Sequence, residues 1–257
     1  MKIEQVAAQL FTIRDHLETP EAYQESLQKI ADIGYRSIQV SGPRPIEEGD
    51  IASLCAEKGL VINSSHEDSS LILENPHAVV ENLDAFGCRY TAYPYPKGID
   101  FSSRASVEGL IKGLEASGRI LRESGKGLTY HNHAVELEEL EGIPVLERIY
   151  SQSDPDFLQG ELDTYWIHAG GSSPQAWCAR LRDRLPLLHI KDYAIGEDGQ
   201  ARFAEIGQGV LDFQTIIATA EASGCQWFIV EQDTCPGDPF VSLESSFRYI
   251  YDNLAET

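Results

Sequence analysis

Leu158-Gln159-Gly160-Glu161-Leu162-Asp163-Thr164-Tyr165, then Ser173-Pro174, then Leu187-Leu188-His189-Ile190-Lys191-Asp192-Tyr193 is the stretch whose reading decides the fold. Each flanking run is short, rich in apolar residues and finished by acid, imidazole or ammonium groups. Between them a hydroxyl residue precedes proline, the start signal of a helix. This is one βα unit, and a chain made of such units lays helices over a parallel sheet.

The same alternation continues outward to both ends. Strands are expected at Val6 to Ile13, Ser37 to Val40, Val61 to Ser65, Tyr90 to Tyr95, Leu128 to His133, Leu158 to Tyr165, Leu187 to Tyr193 and Trp227 to Gln232. Between them apolar residues recur at helical spacing, as in Tyr23, Leu27, Ile30 and Ile33, or Val107, Leu110, Ile111 and Leu114. Pro20 opens the first helix and Gly34 closes it, Gly59 and Gly87 close the next two, Asp212 caps another, and Pro239 to Leu254 is the last. Eight units in 257 residues predict an α/β protein of the (β/α)8 TIM-barrel class, one domain over residues 1–257. An open doubly wound sheet would more often show a glycine-rich turn after the first strand, whereas here Thr12-Ile13-Arg14-Asp15 follows.

With 20 Lys and Arg against 41 Asp and Glu the formal charge is −21, which repels nucleic-acid phosphates and anionic lipid. Neither nucleic acid nor a membrane is expected as a partner. No run approaches the roughly 18 apolar residues of a membrane helix. The start Met1-Lys2-Ile3-Glu4-Gln5 lacks an apolar signal core, so a cytoplasmic location is expected. Cys55, Cys88, Cys178, Cys225 and Cys235 are scattered without a CxxC pair, against both a disulfide framework and a thiolate zinc site.

In a barrel of this class the chemistry sits where strands end. The fifth strand ends Tyr130-His131-Asn132-His133 with Glu136 beyond it, the sixth Glu161-Leu162-Asp163, the seventh His189-Ile190-Lys191-Asp192, the eighth Glu231-Gln232-Asp233 and the third Ser65-His66-Glu67. Residues two apart share a face, so His131 with His133, Glu161 with Asp163, His189 with Lys191, and Glu231 with Asp233 are expected to point into one mouth. Imidazoles mixed with carboxylates suit one divalent cation, Mn2+, Zn2+, Co2+ or Mg2+. Without a cation, so many buried carboxylates would be costly. Taken singly, a histidine at a strand end is more often a hydrogen-bonded structural residue, and an aspartate there a helix cap. Four consecutive strand ends outweigh those readings.

Glu161-Leu162-Asp163-Thr164, His189-Ile190-Lys191-Asp192, Gly207-Gln208-Gly209 with Asp212-Phe213, and Val230-Glu231 resemble the signatures of the sugar phosphate isomerase/epimerase superfamily, the xylose isomerase-like barrels. The resemblance covers essentially the whole chain and is most specific from Tyr130 to Asp233. It implies one divalent metal, with Mn2+ favoured, held by Glu, Asp, His and Glu at four strand ends, and acid/base chemistry beside a sugar carbonyl. Asp163, His189 and Glu231 match the second, third and fourth ligands. The first departs from the pattern: His133 is preferred to His131 as its replacement, or Glu136 reaches back.

On this reading Glu231 is the base, Lys191 steadies an oxyanion or a leaving group, and Glu136 is a further catalytic candidate. His66, His131, Tyr130 and Trp166 are candidate substrate contacts, although aromatic residues at strand ends are more often packing. Gly207-Gln208-Gly209 is expected to lead the chain into the helix after Asp212. Basic residues are scarce where barrels bind phosphate: only Arg202 follows the seventh strand, and none lies from Glu231 to Glu244. A neutral sugar or keto-sugar is therefore expected.

The leading function is a metal-dependent isomerase or epimerase. The runner-up is a lyase or dehydratase expelling a β-leaving group from a 3-keto-glycoside or keto-inositol, since elimination needs only one strong base. A catalytically inactive sugar-binding barrel is the reading from another class. DNA-repair endonucleases resemble the same barrel, but they carry basic loops and three zinc ions. The sequence leaves room for a homo-oligomer.

Overall fold

The computed structural model describes residues 1–256. Eight parallel strands close a barrel in sequence order: β1 Val6–Gln9, β2 Ser37–Val40, β3 Val61–His66, β4 Tyr90–Tyr93, β5 Gly127–His131, β6 Gln159–Asp163, β7 Leu187–Ile190 and β8 Trp227–Val230. Closure is made by β8 against β1, with Val6 opposite Phe228 and Ala8 opposite Val230. Each strand is followed by a helix that packs back on the sheet, from Pro20–Ile33 after β1 to Pro239–Asn253 after β8. Thr19, Ser173 and Asp212 accept hydrogen bonds at three helix starts, and Gly87 closes Pro76–Phe86 in the left-handed conformation. No helix among the described residues is long and apolar enough to cross a membrane.

The main apolar core lies between the strands and the helices, where Leu27, Ile30, Leu110, Leu114 and Ile217 meet Ile38, Leu162 and Ile190. Inside the barrel the side chains form layers, because residues two apart on a strand face the same way. Ala7, Tyr90, Leu187 and Ile229 make an apolar floor. One step up each strand come Gln9, His189 and Glu231, with Gln39 and Glu161 beside them. One step further come Asp163, Lys191 and Asp233, so the interior changes from apolar to ionic toward the mouth.

Six strands end earlier than expected, at Gln9, Tyr93, His131, Asp163, Ile190 and Val230, and three of these stops have a visible cause. After Gln9 the chain turns into a 3-10 segment, Leu10–His16, whose Phe11 N–H donates to the Gln9 side chain. After Asp163 it enters the short helix Thr164–Ala169, which Asp163 caps. Tyr193 belongs to an antiparallel hairpin, Asp192–Ile195 with Ala201–Ala204, rather than to the seventh barrel strand. The Gly207-Gln208-Gly209 turn that follows is gripped by Asp192. Its carboxylate accepts backbone N–H bonds from Tyr193, Gly207, Gly209, Val210 and Leu211 at 2.9–3.3 Å. A Cβ on Gly209 would collide with that carboxylate and with the Tyr193 carbonyl, so the turn requires glycine there.

Candidate active site

The cavity at the C-terminal ends of the strands has a volume of about 350 Å3 and is lined by His66, His131, His133, Lys191, Glu231 and Asp233, with Phe11 and Tyr95 on its rim. Lys191 is its only lining cation of the Lys or Arg type among the described residues, and it is 1% exposed. Its Nζ lies 2.9 Å from Glu231 Oε2, 2.9 Å from Asp233 Oδ1 and 3.3 Å from Asp163 Oδ2. Burial opposes its charge, but the three carboxylates outweigh that and raise its pKa, so it stays an ammonium. It also sits 5.5 Å from the Trp166 ring centroid and 5.4 Å from that of Phe203, which the Asp192–Ala204 hairpin brings over the mouth.

Two groups of side chains offer donor atoms within 4.8 Å of one another: His66, His131, Glu161 and His189, and, toward the mouth, His131, Asp163, His189 and Glu231. The two differ in how well they are already satisfied. In the deeper group Glu161 Oε1 is 2.5 Å from His66 Nε2 and 3.1 Å from His189 Nε2, and Oε2 accepts from Gln39 Nε2 at 2.7 Å. In the upper group, His131 Nδ1 and Asp163 Oδ2 are buried and make no aligned hydrogen bond, their nearest charged groups being Glu161 Oε1 at 3.4 Å and Lys191 Nζ at 3.3 Å. Asp163 Oδ1 is spent on the Trp166 N–H at 2.9 Å, which leaves Oδ2 on the side of Lys191 Nζ. Buried polar atoms are normally paired. Two orphan atoms among two imidazoles and two carboxylates therefore fit a divalent cation at the upper group.

The charge balance agrees. His131 is held neutral, its pKa pushed well below the usual value by burial and by His189, so its ring nitrogen is a free donor. Burial lifts the Asp163 carboxyl to about 6. Burial also works against charge on Glu231, but Lys191 and His189 prevail and hold its pKa well below the carboxylate range. For His189, burial is outweighed by Glu161 and Glu231, which raise its pKa to about 10. A proton on His189 and a divalent cation are thus alternative sources of positive charge between these carboxylates.

Some side chains expected here stand elsewhere. β5 ends at His131, whose ring lies 4.5 Å from that of His189, and it is His131, not His133, that joins the four-donor groups. His133 is past the last ladder bond. Its N–H donates to Glu136 Oε2 at 2.8 Å, and its ring forms a cavity wall between Tyr95 and Trp166. Glu136 is fully buried beneath the strand end, accepts from Tyr130 Oη at 2.9 Å, and belongs to neither donor group. Tyr130 has the opposite parity to His131, so it faces the helices, stacks on Tyr93 and does not line the cavity. Gln9 lies below the mouth, bonded to Gln39. Asp192 serves its turn, and His168 bonds Tyr193 Oη outside the cavity. His66 lines the cavity, whereas Trp166 is not among its lining residues and stands behind it against His133 and Lys191. Glu161, which two-residue alternation turns toward the mouth with Asp163, has no role assigned from sequence, and the structure places it in the deeper donor group.

A family model described as xylose isomerase-like TIM barrel matches residues 27–251. An inosose dehydratase of Lacticaseibacillus casei is 27% identical over 160 residues, covering 56% of this chain and 53% of that protein. This chain thus spans about half the length of that curated relative. A sugar phosphate isomerase/epimerase from Parabacteroides distasonis shares the fold with a TM-score of 0.84 at 21% identity, covering 99% of this chain and 96% of the other. A xylose isomerase-like barrel from Mycobacterium smegmatis, solved in complex with magnesium, superposes with a TM-score of 0.76 at 15% identity over 98% and 97% of the two chains. With nearly the whole barrel matched by the family model, and its ionic mouth built on the ends of β5 to β8, the chain belongs to the xylose isomerase-like TIM barrel family.

Proposed function

We propose that this barrel is a divalent-metal-dependent lyase that removes the proton beside the carbonyl of a neutral keto-sugar or keto-polyol and expels the β-substituent. The observation that carries the reading is the asymmetry of the base inventory. Of the two carboxylates in the upper donor group, Glu231 lines the cavity and Asp163 does not, and Lys191 Nζ lies 2.9 Å from Glu231. The other walls carry the imidazoles of His66, His131 and His133 and the carboxylates of Glu67, Asp68 and Asp233, and none of those three carboxylates belongs to a donor group. An epimerisation run by two carboxylates on opposite faces lacks its second member here, whereas an elimination uses one. This reverses the order in which sequence alone ranks the two. The dehydratase name of the Lacticaseibacillus relative points the same way.

His131, Asp163, His189 and Glu231 would hold the cation, which when bound polarises the substrate carbonyl and acidifies the adjacent C–H. Mn2+ remains the favoured ion, and the magnesium in a structural neighbour keeps harder cations in view. Glu231 takes the proton. As the carbon–oxygen bond breaks, its electron pair stays on the leaving oxygen, to which Lys191 donates a hydrogen bond, and the proton on Glu231 returns to that oxygen. Trp166 and Phe203 shield the ammonium from water. With Lys191 tied to three carboxylates, the described residues lining the cavity offer no other Lys or Arg to bind a phosphate, which supports an uncharged substrate.

The test is turnover of a neutral keto-inositol and a 3-keto-glycoside with Mn2+ in heavy water. The lyase is expected to release water or alcohol and leave an unsaturated ketone. Deuterium incorporation with the formula otherwise retained would restore the isomerase. If no cation co-purifies and Asp163→Ala leaves ligand affinity unchanged, the barrel is a binding protein.

A further inference from the structure

We propose that Glu161 is a positioning residue for the cation site, setting which nitrogen of His189 faces the cavity. This rests on the cation-binding part of the proposed function and not on the reaction assigned to it. Glu161 is fully buried and makes no contact with the cavity lining except through histidines. Its Oε1 is 2.5 Å from His66 Nε2, 3.1 Å from His189 Nε2 and 3.4 Å from His131 Nδ1, and its Oε2 accepts from Gln39 Nε2 at 2.7 Å. Gln39 is itself anchored to Ser64 and Gln9, so the carboxylate stands on a fixed polar layer.

His189 shows the consequence most directly. Its Nε2 points down to Glu161 and to Gln39 Oε1, 2.7 Å away, while Nδ1 points up, 3.0 Å from Glu231 Oε2. Nε2 faces two acceptors, a carboxylate and a carbonyl oxygen, and Nδ1 faces one, the Glu231 carboxylate, so the cation-free ring carries a hydrogen on each; a cation taking the place of the Nδ1 hydrogen would leave the hydrogen on Nε2 and the lone pair on Nδ1, toward Glu231. The same carboxylate ties in His66 from β3, which joins the cavity rim to the floor of the donor group. Glu161 and Asp163 are two residues apart on β6. One strand therefore supplies the orienting carboxylate below and the donor carboxylate above.

Two measurements test this. In Zn2+-loaded wild-type protein, nitrogen-15 NMR of the His189 ring is expected to show a hydrogen on Nε2 and the metal on Nδ1; the reverse assignment overturns the proposal whether or not any variant folds. In Glu161→Gln the new amide can present an N–H where the imidazole N–H now donates. Mn2+ affinity, read by electron paramagnetic resonance of the free ion, is expected to fall about 10–100-fold. Affinity within about twofold of wild type overturns the proposal while leaving the cation site intact. Failure of the wild-type protein to bind Mn2+ or Zn2+ at all overturns the cation reading itself, and this inference with it.

Discussion

Lys191→Met should make the stability of this protein dependent on a divalent cation. The substitution keeps most of the side-chain volume but removes an ammonium 2.9 Å from Glu231, 2.9 Å from Asp233 and 3.3 Å from Asp163. Glu231 and Asp163 are 5% and 0% exposed, so water cannot replace the lost partner. Removing one member of a buried ionic group costs about 3–5 kcal/mol, because the charges left behind are uncompensated. For a chain of this size each kcal/mol lowers the melting temperature by roughly 2–4 °C, so a fall of about 6–20 °C is expected in the cation-free variant. Asp163 and Glu231 also belong to the upper donor group, so saturating Mn2+ supplies the missing positive charge and should recover most of that fall. The assay is thermal unfolding of wild type and variant at neutral pH, with EDTA and with Mn2+. A fall of less than about 2 °C, or an equal fall with and without Mn2+, would refute the reasoning.

Glu136→Gln should stabilise the protein at alkaline pH. Burial raises the Glu136 carboxyl to about 7, so the native state keeps a proton that the unfolded chain releases near pH ~4.3. With the folded pKa the higher of the two, its contribution is fully present below the unfolded value and is lost as pH rises through about 7. Glutamine imitates the protonated acid, accepting from His133 N–H and facing Tyr130 Oη. The variant should gain roughly 2–3 kcal/mol over wild type at pH ~8 and little at pH ~5 in urea unfolding; equal destabilisation at both would count against the burial argument. Asp192→Asn replaces one acceptor oxygen by a donor facing the backbone N–H groups that carboxylate now holds. Losing the bonds from Gly207 and Gly209 to Oδ2 should cost about 3–5 kcal/mol and speed proteolysis at residues 205–211. A change below about 1 kcal/mol would show that the turn holds without it.

The architecture of this protein is written in local signals. Proline, glycine and capping residues bound each helix, apolar runs space the strands, and the count of eight closes the sheet, because a βα unit's geometry depends on near neighbours alone. The inward-facing polar residues were legible too: two-residue alternation on β5 to β8 places His131, Asp163, His189 and Glu231 toward one axis from sequence. The height of each side chain along that axis was not. Whether His131 or His133 faces His189 depends on where β5 leaves its neighbours. Glu136 lies beneath the strand because a 3-10 turn folds it back onto Tyr130. Glu161 reads as one more acidic residue until β2, β3, β5 and β7 close around it and supply Gln39, His66, His131 and His189. Sequence alone thus determined the barrel and the direction its charged residues face, since both follow from a strand's own periodicity. Tertiary structure decided which of them meet, because donor distances of a few ångströms are set by the stagger between strands far apart in the chain.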